Sequence, residues 1–233
     1  MQKLVFFLSL AGLFIGCQKR PSAKEIIEQS IQAHGFSLQK KPLSYTKTTQ
    51  LFFPDGQLEK TLEQRHHITW KPFTYSIREN SPKGVILTQY QKEGYSRSIN
   101  GVKLTDESIA SKAKEAINTA YFVFWQPAKL NDPKAVKKYL GQREIQKNLI
   151  AEAVEVFYPE SPSSDRWIFY FDPITKLNVG YSVEHKGRWS LILNDAFYLE
   201  HQPILIKERR SFFIDSVANT QILRAAYRYD LDQ

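Results

Sequence analysis

The sequence predicts an α+β protein: one large antiparallel sheet curved into a half-open β-barrel, with an N-terminal helix and a central helical segment packed on its concave face. Three observations predict it. Apolar residues recur at helical spacing in an opening segment and again in mid-chain, and between and after these segments they alternate with polar ones. The links between the alternating runs are short and carry turn residues, so sequential strands pair antiparallel. No β-α-β alternation occurs, which excludes TIM-barrel and Rossmann architectures.

The elements follow in order. Ser22 is placed to cap the first helix, and Glu25 three residues on completes a capping box. In "KEIIEQSIQAHG" Ile27 and Ile31 form one stripe with Ile26 beside it, and Gly35 is placed to end the helix. The period then changes from 3.6 to 2. "SYTKTTQLFFPDGQLEKTLEQ" reads as strand, Pro54-Asp55-Gly56 turn, strand. "PFTYSIREN", "GVILTQYQ" and "YSRSINGVKL" follow, the last with an Asn100-Gly101 hairpin signal.

The central helix spans "TDESIASKAKEAINTAYFVFWQP", from a Thr105 cap to the residue before Pro127. Ile109, Ala113, Ile117, Ala120 and Phe124 share one face. "NDPKAVKKYLG" reads as a further helical turn or two. After Gly141 the alternation returns in five more runs. Leu177, Val179, Tyr181 and Val183 are expected on one face of their strand, and Leu223, Ala225, Tyr227, Tyr229 and Leu231 on one face of the last. "WIFYF" is apolar at both parities, so its strand is expected to be covered on both sides.

The chain start carries a separate signal. After Met1-Gln2-Lys3, the run Leu4 to Ile15 is apolar apart from Ser9 and Gly12. As a helix it spans roughly 18 Å, short of the ~30 Å hydrocarbon core, so it reads as a secretory leader and not a membrane anchor. The leader ends Phe14-Ile15-Gly16-Cys17, and Cys17 is the only cysteine, which excludes an internal disulfide. This ending resembles the bacterial lipobox. The resemblance implies removal of residues 1–16, diacylglycerol on the Cys17 thiol and an acyl chain on its new amine. Residues 17–22 then form a lipidated tether and 23–233 a single domain. Gln18-Lys19 after the cysteine favours the outer membrane, with the body facing the periplasm.

Charge and chemistry narrow the function. The formal charge is +8, of which the leader holds only Lys3. The cations are scattered among acids and no nucleic-acid-binding motif occurs, so no nucleic-acid partner is expected; contact with anionic lipid head groups or a solvated basic surface accounts for the balance. His66 and His67 are adjacent and point to opposite faces of a strand, and no other histidine has ligand-like spacing, so no metal is expected. No G-x-S-x-G occurs, and the acidic pairs sit on solvated faces. The chain therefore does not read as an enzyme, and no cofactor is expected beyond the acyl groups on Cys17.

The opening "EIIEQSIQAHG" helix, the meander, "AINTAYFVFWQPAKLNDP" and "WIFYFDPITKLNVGYSVEHKGRW" together resemble a family of uncharacterised Gram-negative lipoproteins. More distantly they resemble the LolA/LolB-like carrier and receptor superfamily. The strand-"D-P-x-T-x-L"-strand feature is Asp172, Pro173, Thr175 and Leu177. The resemblance implies an unclosed barrel plugged by helices around a cavity that takes acyl chains or lipoprotein lipid. Aromatics make up 13% of the chain, and either they fill the core or some of them line that cavity. The candidate ligand-binding residues are Trp70, Tyr121, Phe124, Trp125 and Trp167. The alternative is an envelope interaction protein with a filled core and no ligand.

Overall fold

The structure is a computed structural model that describes residues 20–36, 41–159, 165–215, 217, 218 and 220–232. Cys17, the leader and the first half of the tether lie outside the described residues.

The capping box forms as the sequence requires. The Ser22 hydroxyl accepts from the Glu25 amide at 3.2 Å, and the Glu25 carboxylate accepts from the Ser22 amide at 2.6 Å. Helix α1 (Ala23–His34) ends at Gly35, whose φ of 70° is the left-handed conformation that closes a helix without Cβ strain.

Six strands then run as a meander: β1 (Leu43–Phe52), β2 (Leu58–Trp70), β3 (Phe73–Ser81), β4 (Gly84–Gln91), β5 (Gly94–Ile99) and β6 (Val102–Lys103). Helices α2 (Glu107–Phe124) and α3 (Gln126–Leu130) follow. A second meander comprises β7 (Val136–Gln146), β8 (Leu149–Phe157), β9 (Arg166–Phe171), β10 (Asn178–His185), β11 (Arg188–Tyr198), β12 (Leu205–Asp215) and β13 (Thr220–Leu231).

Pairing of β1 with β13 fuses the two meanders into one sheet of 13 strands, in the order β6-β5-β4-β3-β2-β1-β13-β12-β11-β10-β9-β8-β7. Every pair is antiparallel. The edges β6 and β7 are therefore consecutive in the chain but at opposite ends of the sheet, and α2 and α3 make the connection between them. The sheet is curved and open, not a closed barrel, and the helices sit on the face that it leaves uncovered. Helix α2 lies against β3, β4 and β5, and α1 against α3 and β7.

Two apolar clusters support the helices. One joins Ile117, Phe124 and Trp125 to Tyr45, Ile68, Tyr75 and Tyr229. The other joins Ile26, Ile27 and Leu130 to Val154, Val156, Phe169 and Phe171. A third lies on the opposite face, where Ala151, Ala153, Ile168, Tyr170, Leu191, Leu193 and Phe212 pack with Ile145. The "WIFYF" strand is thus covered on both sides, as its composition requires. The twist of the sheet brings the β7–β8 hairpin round to the start of β13, where Gln146 Nε2 donates to Gln221 Oε1 at 2.9 Å.

Four local expectations need correction. The cap of α2 is Asp106, whose carboxylate accepts from the Ser108 amide, and not Thr105. The central helix breaks at Trp125 and α3 restarts with Pro127 in its first turn, where a missing N–H costs nothing. "NDPKAVKKYLG" is a turn that leads into edge strand β7, not a helix. Finally, Val179 belongs to the cluster on the face opposite the helices and Tyr181 to the helix-bearing face, because the β9–β10 register shifts between Asn178 and Gly180. A register shift between Ser211 and Phe212 of β12 separates Leu223 from Ala225 and Tyr229 in the same way.

Candidate functional site

Successive residues of a helix point about 100° apart, so the run Tyr121 to Trp125 at the end of α2 spreads its rings in several directions. Phe124 points at the sheet. It is 2% exposed and meets Tyr45 and Tyr229 edge-on, at centroid distances of 4.7 and 5.0 Å. Trp125, 3% exposed, stands edge-on to Trp70 at 5.0 Å and to Phe36 at 5.1 Å. Tyr121 turns toward the β2–β3 connection, 6.0 Å from Trp70 and 5.6 Å from Phe73. Phe122 turns to the other side, 6.2 Å from Trp167.

A cleft of about 860 Å³ opens between α2 and the β2–β3 connection. Trp70, Phe73, Ile117 and Tyr121 provide its apolar walls, with Pro42 and Pro72 beside them. Lys71 and Lys129 stand among its polar lining residues, the Lys129 ammonium 4.4 Å from the centre of the Tyr121 ring. The indole of Trp70 is held in orientation by donating to the Lys41 carbonyl at 2.6 Å. The volume falls in the range of small-molecule sites, and the lining matches their usual chemistry of apolar walls with a few polar groups.

The structure therefore separates the five aromatic candidates. Trp70 and Tyr121 line the cleft, and Trp125 backs Trp70 from inside. Phe124 is a core residue. Trp167 belongs to a different cluster, packed with Phe122 and Tyr181 over the buried Phe169, where its ring lies 5.4 Å from that of Tyr181. The sequence reading missed Phe73, the first residue of β3, whose signal was its place one residue past a Lys71-Pro72 break.

It also missed a set of polar groups on the helix-bearing face. The Tyr45 and Tyr75 hydroxyls share a hydrogen bond of 2.8 Å, and Tyr75 bonds His66 Nδ1 at 3.1 Å. Burial, helped by the charge of Lys47, holds His66 down at about 3. A second chain runs from Asn178 to Asn194, which donates to Asn178 Oδ1 at 3.1 Å, and on to Arg209, whose Nε donates to Asn194 Oδ1 at 2.9 Å. Lys47 is lowered to about 8 by burial and by the charge of Arg209. These residues were legible only as inward positions of their strands. Among the described residues, no group of three or more His, Cys, Asp or Glu is placed to hold a metal ion.

An unclosed antiparallel sheet with helices across its opening is a LolA-like fold. Two solved structures share this architecture over almost their whole length. One is a LolA superfamily protein from Nitrosomonas europaea, with 10% identity, a TM-score of 0.53, and coverage of 92% of this chain and 95% of that one. The other is a domain from Vibrio parahaemolyticus assigned to outer membrane lipoprotein sorting, with 9% identity, a TM-score of 0.53, and coverage of 91% and 92%. At such identities the likeness is one of fold. The chain itself belongs to the family of unknown function DUF6503, whose model matches residues 2–188. No curated protein matches the sequence.

Proposed function

We propose that this protein is a lipoprotein of the cell envelope that accepts an acyl chain, or the lipid of another lipoprotein, in the cleft between α2 and the β2–β3 connection. The observation that carries this reading is the cleft itself, 860 Å³ walled by Trp70, Phe73, Ile117 and Tyr121. Apolar surface left open to water costs roughly 25 cal/mol per Å², and an aliphatic chain laid on these rings recovers that energy. The fold agrees with the reading, as does the assignment of the Vibrio domain to lipoprotein sorting. The rest of the proposal comes from the sequence. Residues 1–16 are removed, Cys17 carries diacylglycerol and an N-acyl chain, residues 17–22 are the tether, and 23–233 form one domain facing the periplasm from the outer membrane. Two or three chains anchor stably where one does not. The role is binding, without catalysis.

One observation favours the second reading, an interaction protein without a ligand: Phe124 and Trp125 already fill the space directly beneath α2. The two separate in a displacement assay with an environment-sensitive fluorescent fatty acid, on delipidated protein carrying Cys17→Ala. Saturable binding at micromolar concentration, weakened at least tenfold by Trp70→Ala, supports the carrier. Absence of saturable binding leaves the interaction protein.

A further inference from the structure

Across the last turns of α2 from the cleft, the helix-bearing face holds two cations with no carboxylate at ion-pair distance among the described residues. Lys47 on β1 pairs opposite Tyr229 of β13, and Arg209 on β12 pairs opposite Tyr227, the next inward residue of the same strand. Arg209 is 4% exposed. Its Nε is bound by Asn194 and its guanidinium lies 5.4 Å from the centre of the Tyr181 ring, while Nη2 meets no partner among the described residues. Lys47 keeps part of its surface, with its ammonium 5.2 Å from the centre of the Tyr227 ring. Neither cation forms an ion pair within 4.0 Å among the described residues. The carboxylate that acts on Lys47 is Glu79, two strands away on β3, and Gln64 stands between them, donating to Glu79 Oε2 at 2.8 Å.

Placing a cation in a partly dry site without a counter-ion is costly, and an arriving anion offsets part of that cost. The charge-assisted hydrogen bond that Lys47 offers is of the strong kind, and a fixed second charge beneath it strengthens the attraction where water is scarce. Apolar surface adjoins the pair: Tyr181 leads from Arg209 to Trp167, and Trp167 to Phe122, in ring contacts of 5.4 and 6.2 Å. We infer that Lys47, backed by the buried charge of Arg209, is a recognition site for an oxyanion, carboxylate or phosphate, carried by an amphiphile whose chain lies on the Tyr181–Trp167–Phe122 surface. Lys47 is the group that the anion touches; Arg209 acts by its field. This site is distinct from the cleft.

The test compares laurate, dodecanol, acetate and inorganic phosphate as competitors for the fluorescent fatty acid, using the Cys17→Ala protein with Lys47→Met, Arg209→Gln or Trp70→Ala added. Laurate should bind at least tenfold more tightly than dodecanol. Lys47→Met should abolish that preference while dodecanol binding persists, and Trp70→Ala should leave the preference intact. Because burial and the charge of Arg209 lower Lys47 to about 8, with Glu79 opposing them and Tyr227, Tyr229 and His66 around it neutral at pH 7 to 9, the preference should fade between pH 7 and 9. Acetate or phosphate competing as well as laurate supports the site and identifies a small free anion as its occupant. Equal affinity for laurate and dodecanol, a preference retained in Lys47→Met, or no competition by any anion overturns the inference. Should Arg209→Gln fail to fold, Lys47→Met decides alone. Loss of the preference in Lys47→Met, together with total fatty-acid affinity unchanged in Trp70→Ala, would sustain this site while defeating the cleft.

Discussion

The imidazole of His34, the last residue of α1, accepts a hydrogen bond at Nε2 from the backbone N–H of Asn178, 144 residues away, at 3.1 Å. Its Nδ1 donates to the Ile204 carbonyl at 3.0 Å. One neutral ring thus ties the first helix to β10 and to the segment before β12. Burial lowers the ring from 6.5 to about 4, partly offset by the bond to Ile204. Between these values the unfolded chain takes up a proton that the folded protein refuses, so stability falls as pH drops from 6.5 toward 4. At about 1.4 kcal/mol per pH unit the loss from His34 reaches roughly 3 kcal/mol. Urea unfolding at pH 7 and pH 4.5 should show a lower midpoint at the acid pH, and a smaller difference in His34→Gln. An equal drop in both proteins would mean that other groups carry the acid sensitivity.

Phe124 and Trp70 should behave oppositely on truncation. Phe124→Ala removes a ring wedged between Tyr45 and Tyr229 and should cost about 3–5 kcal/mol in chemical denaturation. Trp70 borders open space, so Trp70→Ala should cost less than Phe124→Ala and act mainly on ligand binding. A Phe124→Ala protein as stable as wild type would show that α2 is not fixed to the sheet as described.

Gly180 has a φ of 152°, and a Cβ at this position would collide with the Ile192 carbonyl oxygen of the neighbouring strand. Gly180→Ala should therefore destabilise by well over ~1 kcal/mol. Gly187, at the β10–β11 turn, also has a positive φ but faces open space, so Gly187→Ala should cost only the roughly 1–2 kcal/mol of left-handed backbone, less than Gly180→Ala. Thermal unfolding of the two variants gives the comparison, and equal melting temperatures would contradict the close approach of β10 and β11.

On the proposal that Cys17 bears the acyl chains, Cys17→Ala should lose that anchor and shift from the membrane pellet toward the soluble envelope fraction. Wild-type-like sedimentation of the variant would end the tether idea.

Much of the fold was legible because its signals are local. The Ser22–Glu25 capping box, the Gly35 stop, the Asn100-Gly101 turn and the doubly apolar "WIFYF" strand each depend on a few neighbouring residues. The errors arise where longer-range geometry decides. Val179 and Tyr181 share a parity in the sequence, yet a register shift demanded by the curvature of the sheet puts them on opposite faces. The lysine-rich start of β7 read as helix because an edge strand exposes one side and needs charges there to discourage pairing with other chains. In the candidate site, aromatic composition pointed to the end of α2 but could not say which way each ring turns. Only the helix position relative to β2 and β9 separates Tyr121 from Phe122, and no local pattern reveals that Lys47 and Arg209 come within electrostatic reach of each other.

The central claim is that an apolar chain occupies the cleft beside α2, and photo-cross-linking tests it most directly. A fatty acid bearing a diazirine near its tail would be bound to delipidated Cys17→Ala protein, irradiated, and the adducts located by peptide mass spectrometry. The account predicts saturable labelling of the segments 69–73 and 117–121, beside any on the Tyr181–Trp167–Phe122 surface, suppressed by excess unlabelled fatty acid. Labelling spread over the surface, or unaffected by competitor, would contradict it.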